Sequence, residues 1–471
     1  MKKIFSIVIA IAVIFCSYPL YAITINWAQY KGNSEHDGFF PGMIVQTNNR
    51  GWTRTTGVNC GQSSTPIVYS IGGVSKIYWN MEDAIRVFDE QGNRVGIIDS
   101  GSPVEVSPAI ENDIIFFCSR DSLIAQNLID SARWSRYVGK NATAPVIKNG
   151  KIVVCAGKKV FCYSDSGTLE WTKDLAASVD PNTTPAIDDS GNVFAATEQD
   201  TISDWRLYCF SVNGIQKWEY ISHNYEPTGI HSPITIVGSG KDEIILVSTS
   251  PVDTQWTSSL YAINIRGLEA WERLINMINS SPAIYGDTAY CAEQDGITAI
   301  RISNNSTIWH YETGPITNCS PIVGGDGTVY VGTDSGTVLA VKKNGILSWD
   351  DKTQEGSMGN FSVGSDGSLF ASSLSGKLLA YKRPIGTQEK ENIGKMTIAV
   401  FPTVSSNRFE IRASGRVAIK VYDIAGNLVK TVENSSWNGT DTKGDKLSSG
   451  MYFINMSQGK ETVTKKVIWV K

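Results

Sequence analysis

The sequence predicts an all-β chain: an eight-bladed β-propeller closed by an N-terminal strand, followed by a small β-sandwich. Three observations lead there. A unit of about forty residues recurs along most of the chain, opened each time by Ser, Thr or Ala before proline. A tryptophan recurs near the end of most units, and the 471 residues hold 13 tryptophans and 43 glycines. After the last unit the chain alternates apolar and polar residues over several short runs, the period of half-buried strands. With 41% hydrophobic and 19% charged residues there is ample apolar surface for a core and too little charge for disorder.

The units open at Thr65-Pro66, Ser107-Pro108, Ala144-Pro145, Thr184-Pro185, Ser232-Pro233, Ser281-Pro282 and Ser320-Pro321, and a worn eighth copy begins at Phe361. Successive prolines stand 42, 37, 40, 48, 49 and 39 residues apart, room for four short strands each. Inside a unit the proline strand is followed by a Gly, Asn or Asp turn, a second strand such as Val329 to Val331 and a third such as Val338 to Val341. The sequence Gly-x-x-x-Trp then stands at Gly167/Trp171, Gly214/Trp218, Gly267/Trp271 and Gly345/Trp349, with Trp134 and Trp309 in the same place and Gly96 there in the first unit. A large indole at this fixed position packs between neighbouring blades. The eighth unit ends at Tyr381 without such a strand, whereas an orphan one, Gly51-Trp52-Thr53-Arg54, precedes the first unit and closes the ring, removing its free edges.

Residues Met1 to Ala22 carry two lysines, an apolar run from Ile4 to Cys16 and a small residue at Ala22, the layout of a signal peptide. The expected mature chain has no transmembrane segment. Cys16 lies inside the apolar run after the bulky Phe15, which argues against a lipoprotein leader. The formal charge of −4 argues against a nucleic-acid partner. Cys60, Cys118, Cys155, Cys162, Cys209, Cys291 and Cys319 remain after the leader, an odd number, and most fall on second or third strands as small apolar residues. If Lys158-Lys159 form a two-residue turn, Cys155 faces Cys162 across the hairpin, the one intrachain bridge to expect if any forms. His36, His223, His231 and His310 have no ligand spacing with one another or with a cysteine, so no metal is expected.

The repeat resembles the pyrroloquinoline-quinone-like repeat family, whose docking motif reads Ala-x-Asp-x-x-x-Gly-x-x-x-Trp; Ala262-Ile263-Asn264 with Gly267 and Trp271 is close to it. The lead-in Trp27-Ala28-Gln29-Tyr30-Lys31-Gly32-Asn33, ending at Asp37-Gly38, is similar to that family's opening. The resemblance implies a propeller over residues 23–386. It also implies either a calcium-bound quinone with a catalytic acid and often two adjacent cysteines, or a cofactor-free scaffold such as the lipoprotein of the outer-membrane barrel-assembly machinery. The chain has no adjacent cysteine pair and no Cys-x-x-Cys-His, and a cofactor-free reading is expected.

Residues 387–396 form a polar linker, and Thr397 to Lys471 hold strands at Thr397 to Phe401, Phe409 to Ile411, Val417 to Tyr422, Leu428 to Val432, Met451 to Asn455 and Val463 to Val470. Val421-Tyr422-Asp423-Ile424-Ala425-Gly426-Asn427, Trp437-Asn438-Gly439 and Ser449-Gly450-Met451-Tyr452-Phe453 resemble the C-terminal sorting domain of type IX secretion and the immunoglobulin-like domain of hook-capping proteins. That resemblance implies an Ig-like sandwich, contact with secretion machinery, and a secreted or outer-surface protein exported through the periplasm.

The fourth and fifth units are the longest, and their second-to-third connections carry Asp200, Asp204 and Trp205, and Asp253 with Trp256. The passage between them holds His223, Tyr225, Glu226 and His231. All three connections leave a four-stranded blade on one face. Aromatics beside carboxylates there fit a protein or carbohydrate ligand on the loop face of blades 4 and 5, without catalytic residues. The expected role is a non-enzymatic binding or scaffolding module; the alternatives are a quinone-dependent dehydrogenase and a periplasmic assembly scaffold.

Overall fold

The computed structural model describes residues 26–57, 64–81, 84–199, 204–222, 228–251, 258–277, 279–382, 398–401, 404–405, 408–413, 418–423, 427–432, 436–458 and 461–469. The expected leader and Cys60 lie outside them.

Among the described residues from Arg50 to Tyr381, the chain forms eight antiparallel sheets, one per sequence unit. The third is typical: Val146–Lys148, Lys151–Ala156, Lys159–Ser164 and Leu169–Asp174 pair in sequence order. Burial follows position within the sheet. Middle strands such as Val329–Gly332 are buried throughout because other sheets cover both their faces, whereas the fourth strand of the third sheet alternates exposed and half-buried residues. These outer strands are charged, which blunts them as edges. This is a β-propeller.

The eighth sheet is built from both ends of the repeat region. Arg50–Thr55 pairs antiparallel with Lys377–Tyr381, Trp52 opposite Ala380, as the orphan strand predicts.

Tryptophans lock six of the eight sheets to the next. The indole N–H groups of Trp134, Trp171, Trp218, Trp271 and Trp309 donate to the carbonyls of Asp165, Val212, Ile265, Ile302 and Lys343, each in the third-to-fourth turn of the following sheet. Trp52 does the same to Glu90 of the first sheet, which joins the eighth sheet to the first. The turn must then admit the ring: at Gly214, φ is +76° and a Cβ would lie 2.7 Å from Trp171. Gly96 replaces the tryptophan of the first sheet, and the next sheet's turn carries Ser131 instead of glycine.

Trp349 is the exception. Its target sheet lacks a third-to-fourth turn, because the fourth strand arrives from the N-terminal side. Its indole N–H is buried without a hydrogen-bond partner, and the ring packs on Tyr381 at 5.4 Å. Asp351 holds this junction instead, accepting from Arg50 at 2.6 Å and from the Tyr381 hydroxyl at 2.8 Å.

The lead-in segment runs along the inner strands. The N–H groups of Val68, Ile110, Ile187, Ile236, Ile284 and Val323 donate to the carbonyls of Trp27, Ala28, Ser34, Glu35, Asp37 and Gly38, at 2.7 to 3.0 Å. Ile147 N–H donates to Gln29 Oε1 at 3.0 Å. The first seven sheets are thus bonded in chain order by a stretch of twelve residues, and Val45 N–H donates to Gly367 of the eighth. Lys148 adds an ion pair to Glu35 and another to Asp189 at 2.8 Å. Gly38 has φ of +64°, and a Cβ there would meet Lys31 Cε at 2.6 Å.

Cys155 and Cys162 are not opposite each other. The register pairs Cys155 with Val160 and Cys162 with Val153, because the turn is Gly157-Lys158, one residue earlier than expected. Gly157 supplies positive φ at the first turn position. The two thiols are diagonal neighbours, beyond the usual disulfide reach, and both are free and buried. Burial pushes the Cys162 thiol up to about 12.

The described residues of the tail form two sheets. One contains Ile398–Phe401, Phe409–Ala413 and Ser436–Trp437; the other contains Val404–Ser405, Glu461–Trp469, Gly450–Gln458, Ala418–Tyr422 and Leu428–Val432. Phe409, Trp437 and Trp469 share one core with Ile419 and Ile454. Val404–Ser405 and Ser436–Trp437 were not legible as strands in the sequence, being two residues long.

His36 of the lead-in is fully buried, and burial lowers its pKa to about 3. The unfolded chain, with an ordinary value near 6.5, takes up a proton first. Stability contributed by the neutral ring is therefore complete above pH 6.5 and falls with pH down to about 3, at most about 1.4 kcal/mol per pH unit. Denaturant titrations from pH 7 to 4 should show a shallower acid decline in His36→Gln than in the wild type; parallel declines would contradict this.

Candidate functional site

The connections of the fourth and fifth sheets contribute to a polar cluster, though only partly from the expected residues. Asp253, Trp256, His223, Tyr225 and Glu226 lie outside the described residues, as does Asp200. Trp205 is described and fully buried, its ring 4.9 Å from that of Tyr261 and 5.4 Å from that of Tyr220. It fills the core between the fourth and fifth sheets and offers no face to a solute, a correction to the stacking role expected of it. Asp204 beside it is half-buried.

His231 does stand in a site, with Asp180 and Glu198. One ligand atom from each lies within 4.8 Å of the other two, and all three residues are half-buried. Asp180 comes from the passage between the third and fourth sheets, Glu198 from the connection after Val193–Ala196, and His231 from the passage into the fifth sheet. Backbone bonds fix them: Val179 N–H donates to Gly157 at 2.9 Å, Glu198 N–H to Ser178 at 2.8 Å, and Thr183 Oγ1 to Ile230 at 2.7 Å. Asp180 Oδ1 accepts from Asn182 N–H at 2.7 Å, and Oδ2 lies 3.0 Å from His231 Nδ1.

The electrostatics distinguish the two carboxyls. Burial opposes ionisation of Asp180, but the hydrogen bonds from His231 and Asn182 outweigh it and hold the group below its ordinary value. Burial, then the Asp180 charge, raises Glu198. Asp180 and Glu198 were missed in the sequence because the three side chains come from three separate connections, with no local spacing to mark them. The Asp180-Pro181-Asn182 turn was the one local cue.

A second feature opens beside this cluster. A small cavity of about 20 Å³ is lined by Tyr30, Asn182, Thr184, Pro233, Asn279, Asn318 and Asn360. Asn182, Asn279 and Asn318 each stand three residues before the proline of an inner strand. Tyr30 reaches in from the lead-in, its hydroxyl donating to Ser320 Oγ at 2.7 Å, and burial raises its pKa to about 12. This lining is neutral. Pyrroloquinoline quinone is a planar tricarboxylate, and these residues do not fit it: the space holds about one water, and the lining supplies no cation for the carboxylates.

The class defined by this fold is the β-propeller of quinone-type repeats. The chain belongs to the family described as outer membrane protein assembly factor BamB, whose model matches residues 83–344 and again 274–404. Residues 399–471 match the secretion system C-terminal sorting domain. Among solved structures, BamB from Moraxella catarrhalis is similar at 14% identity and a TM-score of 0.55, over 70% of this chain and 100% of that one. The quinohemoprotein alcohol dehydrogenase from Comamonas testosteroni is similar at 11% identity and a TM-score of 0.59, over 77% and 82%. The computationally designed Ika8 protein matches at 14% identity and a TM-score of 0.54, over 70% and 100%. At these identities the likeness is one of fold. The comparison with curated proteins found no match.

Trp205→Ala should destabilise the protein by about 3–5 kcal/mol, as expected for a large buried ring removed from a core. Urea unfolding followed by circular dichroism measures it, and a loss under about 1 kcal/mol would return Trp205 to the surface.

Proposed function

We propose that this protein is an exported, non-enzymatic propeller that binds or scaffolds a protein or carbohydrate ligand on the loop face of its fourth and fifth blades. The observation that carries the reading is the sorting-domain match at residues 399–471, following a propeller of the assembly-factor family. In this reading the eight sheets are the blades of one closed ring over residues 23–386, residues 1–22 are a cleaved signal peptide, 387–396 a linker, and 397–471 an Ig-like domain. That domain contacts the type IX secretion machinery, and the product is secreted or held on the outer surface.

The loop face supports a binding role in two ways. Its two longest connections belong to adjacent units, and the Asp180, Glu198 and His231 cluster sits among the same group of connections. A rigid scaffold presenting polar loops is a common arrangement for recognition. The family match favours a second reading, a periplasmic outer-membrane assembly scaffold. The neutral cavity lining weighs against the third, a quinone-dependent dehydrogenase.

One experiment separates the first two. In a host with type IX secretion, the chain shortened after Gly386 should fold and stay in the periplasm, while the full chain reaches the surface or medium. Cell fractionation with immunoblotting reads this. Equal amounts outside the cell for both forms would refute the sorting role, and a full-length protein confined to the periplasm would favour the assembly scaffold.

A further inference from the structure

We propose that Asp180, Glu198 and His231 form a binding site for one divalent cation of the zinc type, which ties together three connections on the loop face. Geometry carries the inference. One nitrogen or oxygen atom from each side chain lies within 4.8 Å of the others, a spacing that lets a single ion reach all three. Imidazole with two carboxylates is a donor set that zinc accepts, and two carboxylates balance the charge of a divalent ion in a half-buried place.

The site is braced before any ion arrives. Asp180 is fixed by the Asn182 N–H, and the passages carrying Asp180 and His231 are joined by the hydrogen bond from Thr183 to Ile230. Gly229 allows the close approach of the remaining parts: a Cβ there would stand 3.0 Å from His231 Nε2 and 3.2 Å from Glu198 Cα. Without an ion, two carboxylates converge beside a single imidazole. The Glu198 carboxylate makes no hydrogen bond among the described residues, although burial and Asp180 both disfavour its charge. A cation resolves that conflict. Three protein donors also leave a further coordination position, which an oxygen of a bound ligand can fill.

Glu198→Gln is the cleanest test, because that carboxylate holds no other group in place. The full chain, stripped with chelator, is titrated with zinc chloride by calorimetry. The wild type should bind one equivalent at micromolar affinity or tighter, with Glu198→Gln and His231→Gln each weakened roughly tenfold or more. Unchanged tryptophan fluorescence of the metal-free variants checks that they are folded. Cobalt(II) loading gives a second reading that does not depend on a variant: the spectrum should lack a thiolate charge-transfer band. No zinc binding by the wild type, equal binding by folded Glu198→Gln, or a thiolate band from the loaded protein would each overturn the proposal.

Discussion

A propeller's inner strands are edge strands, and their unpaired N–H groups face the axis, where a buried donor without an acceptor costs on the order of 1–3 kcal/mol. This chain answers that constraint with its own lead-in. Residues from Trp27 to Gly38 present one acceptor to each of the first seven sheets in sequence order. The donor is the residue two places after the proline in six units and three places after it in the fifth. The same stretch therefore satisfies the axial edges and sets the position of each sheet around the axis. Its cost is conformational: Lys31 and His36 take positive φ, and the Lys31 ammonium is buried against the carbonyls of Ser281 and Pro282. Burial lowers the pKa of that ammonium to about 7, against the attraction of Asp37.

The outer rim is held by a different device, repeated at six of the eight junctions. An indole N–H reaches the turn carbonyl of the next sheet, and in five of these turns glycine makes room for the ring, Asn305 taking the positive φ in the sixth. Where the chain closes its ring with an N-terminal strand, the turn is missing and Trp349 loses its acceptor. Asp351, Arg50 and Tyr381 bind the last two sheets together there. Closure by strand exchange removes a free sheet edge at the expense of one unsatisfied indole.

Much of this could be read from the sequence because repetition isolates what each position does. The proline strands, the tryptophan positions and the closing role of Trp52 follow from spacing alone. Departures arose where a single residue decided the outcome. Gly157 moved a turn by one place and so separated Cys155 from Cys162. Trp205 turned inward because the gap between the fourth and fifth sheets needed a large ring beside Tyr261. The role of the lead-in was hidden for another reason: its partners are backbone groups, which carry no side-chain signal. The polar cluster was hidden likewise, since Asp180, Glu198 and His231 become neighbours only after three connections fold together.

The axial account is tested most directly by hydrogen exchange on the intact protein, followed amide by amide. The N–H groups of Val68, Ile110, Ile147, Ile187, Ile236, Ile284 and Val323 should be among the most protected in the chain, although each lies on an inner edge. Deleting residues 26–38 while keeping the closing strand Arg50–Thr55 should raise all seven exchange rates together, on the order of a hundredfold. Exchange of these amides in the intact protein at the rate of exposed edge groups would contradict the account.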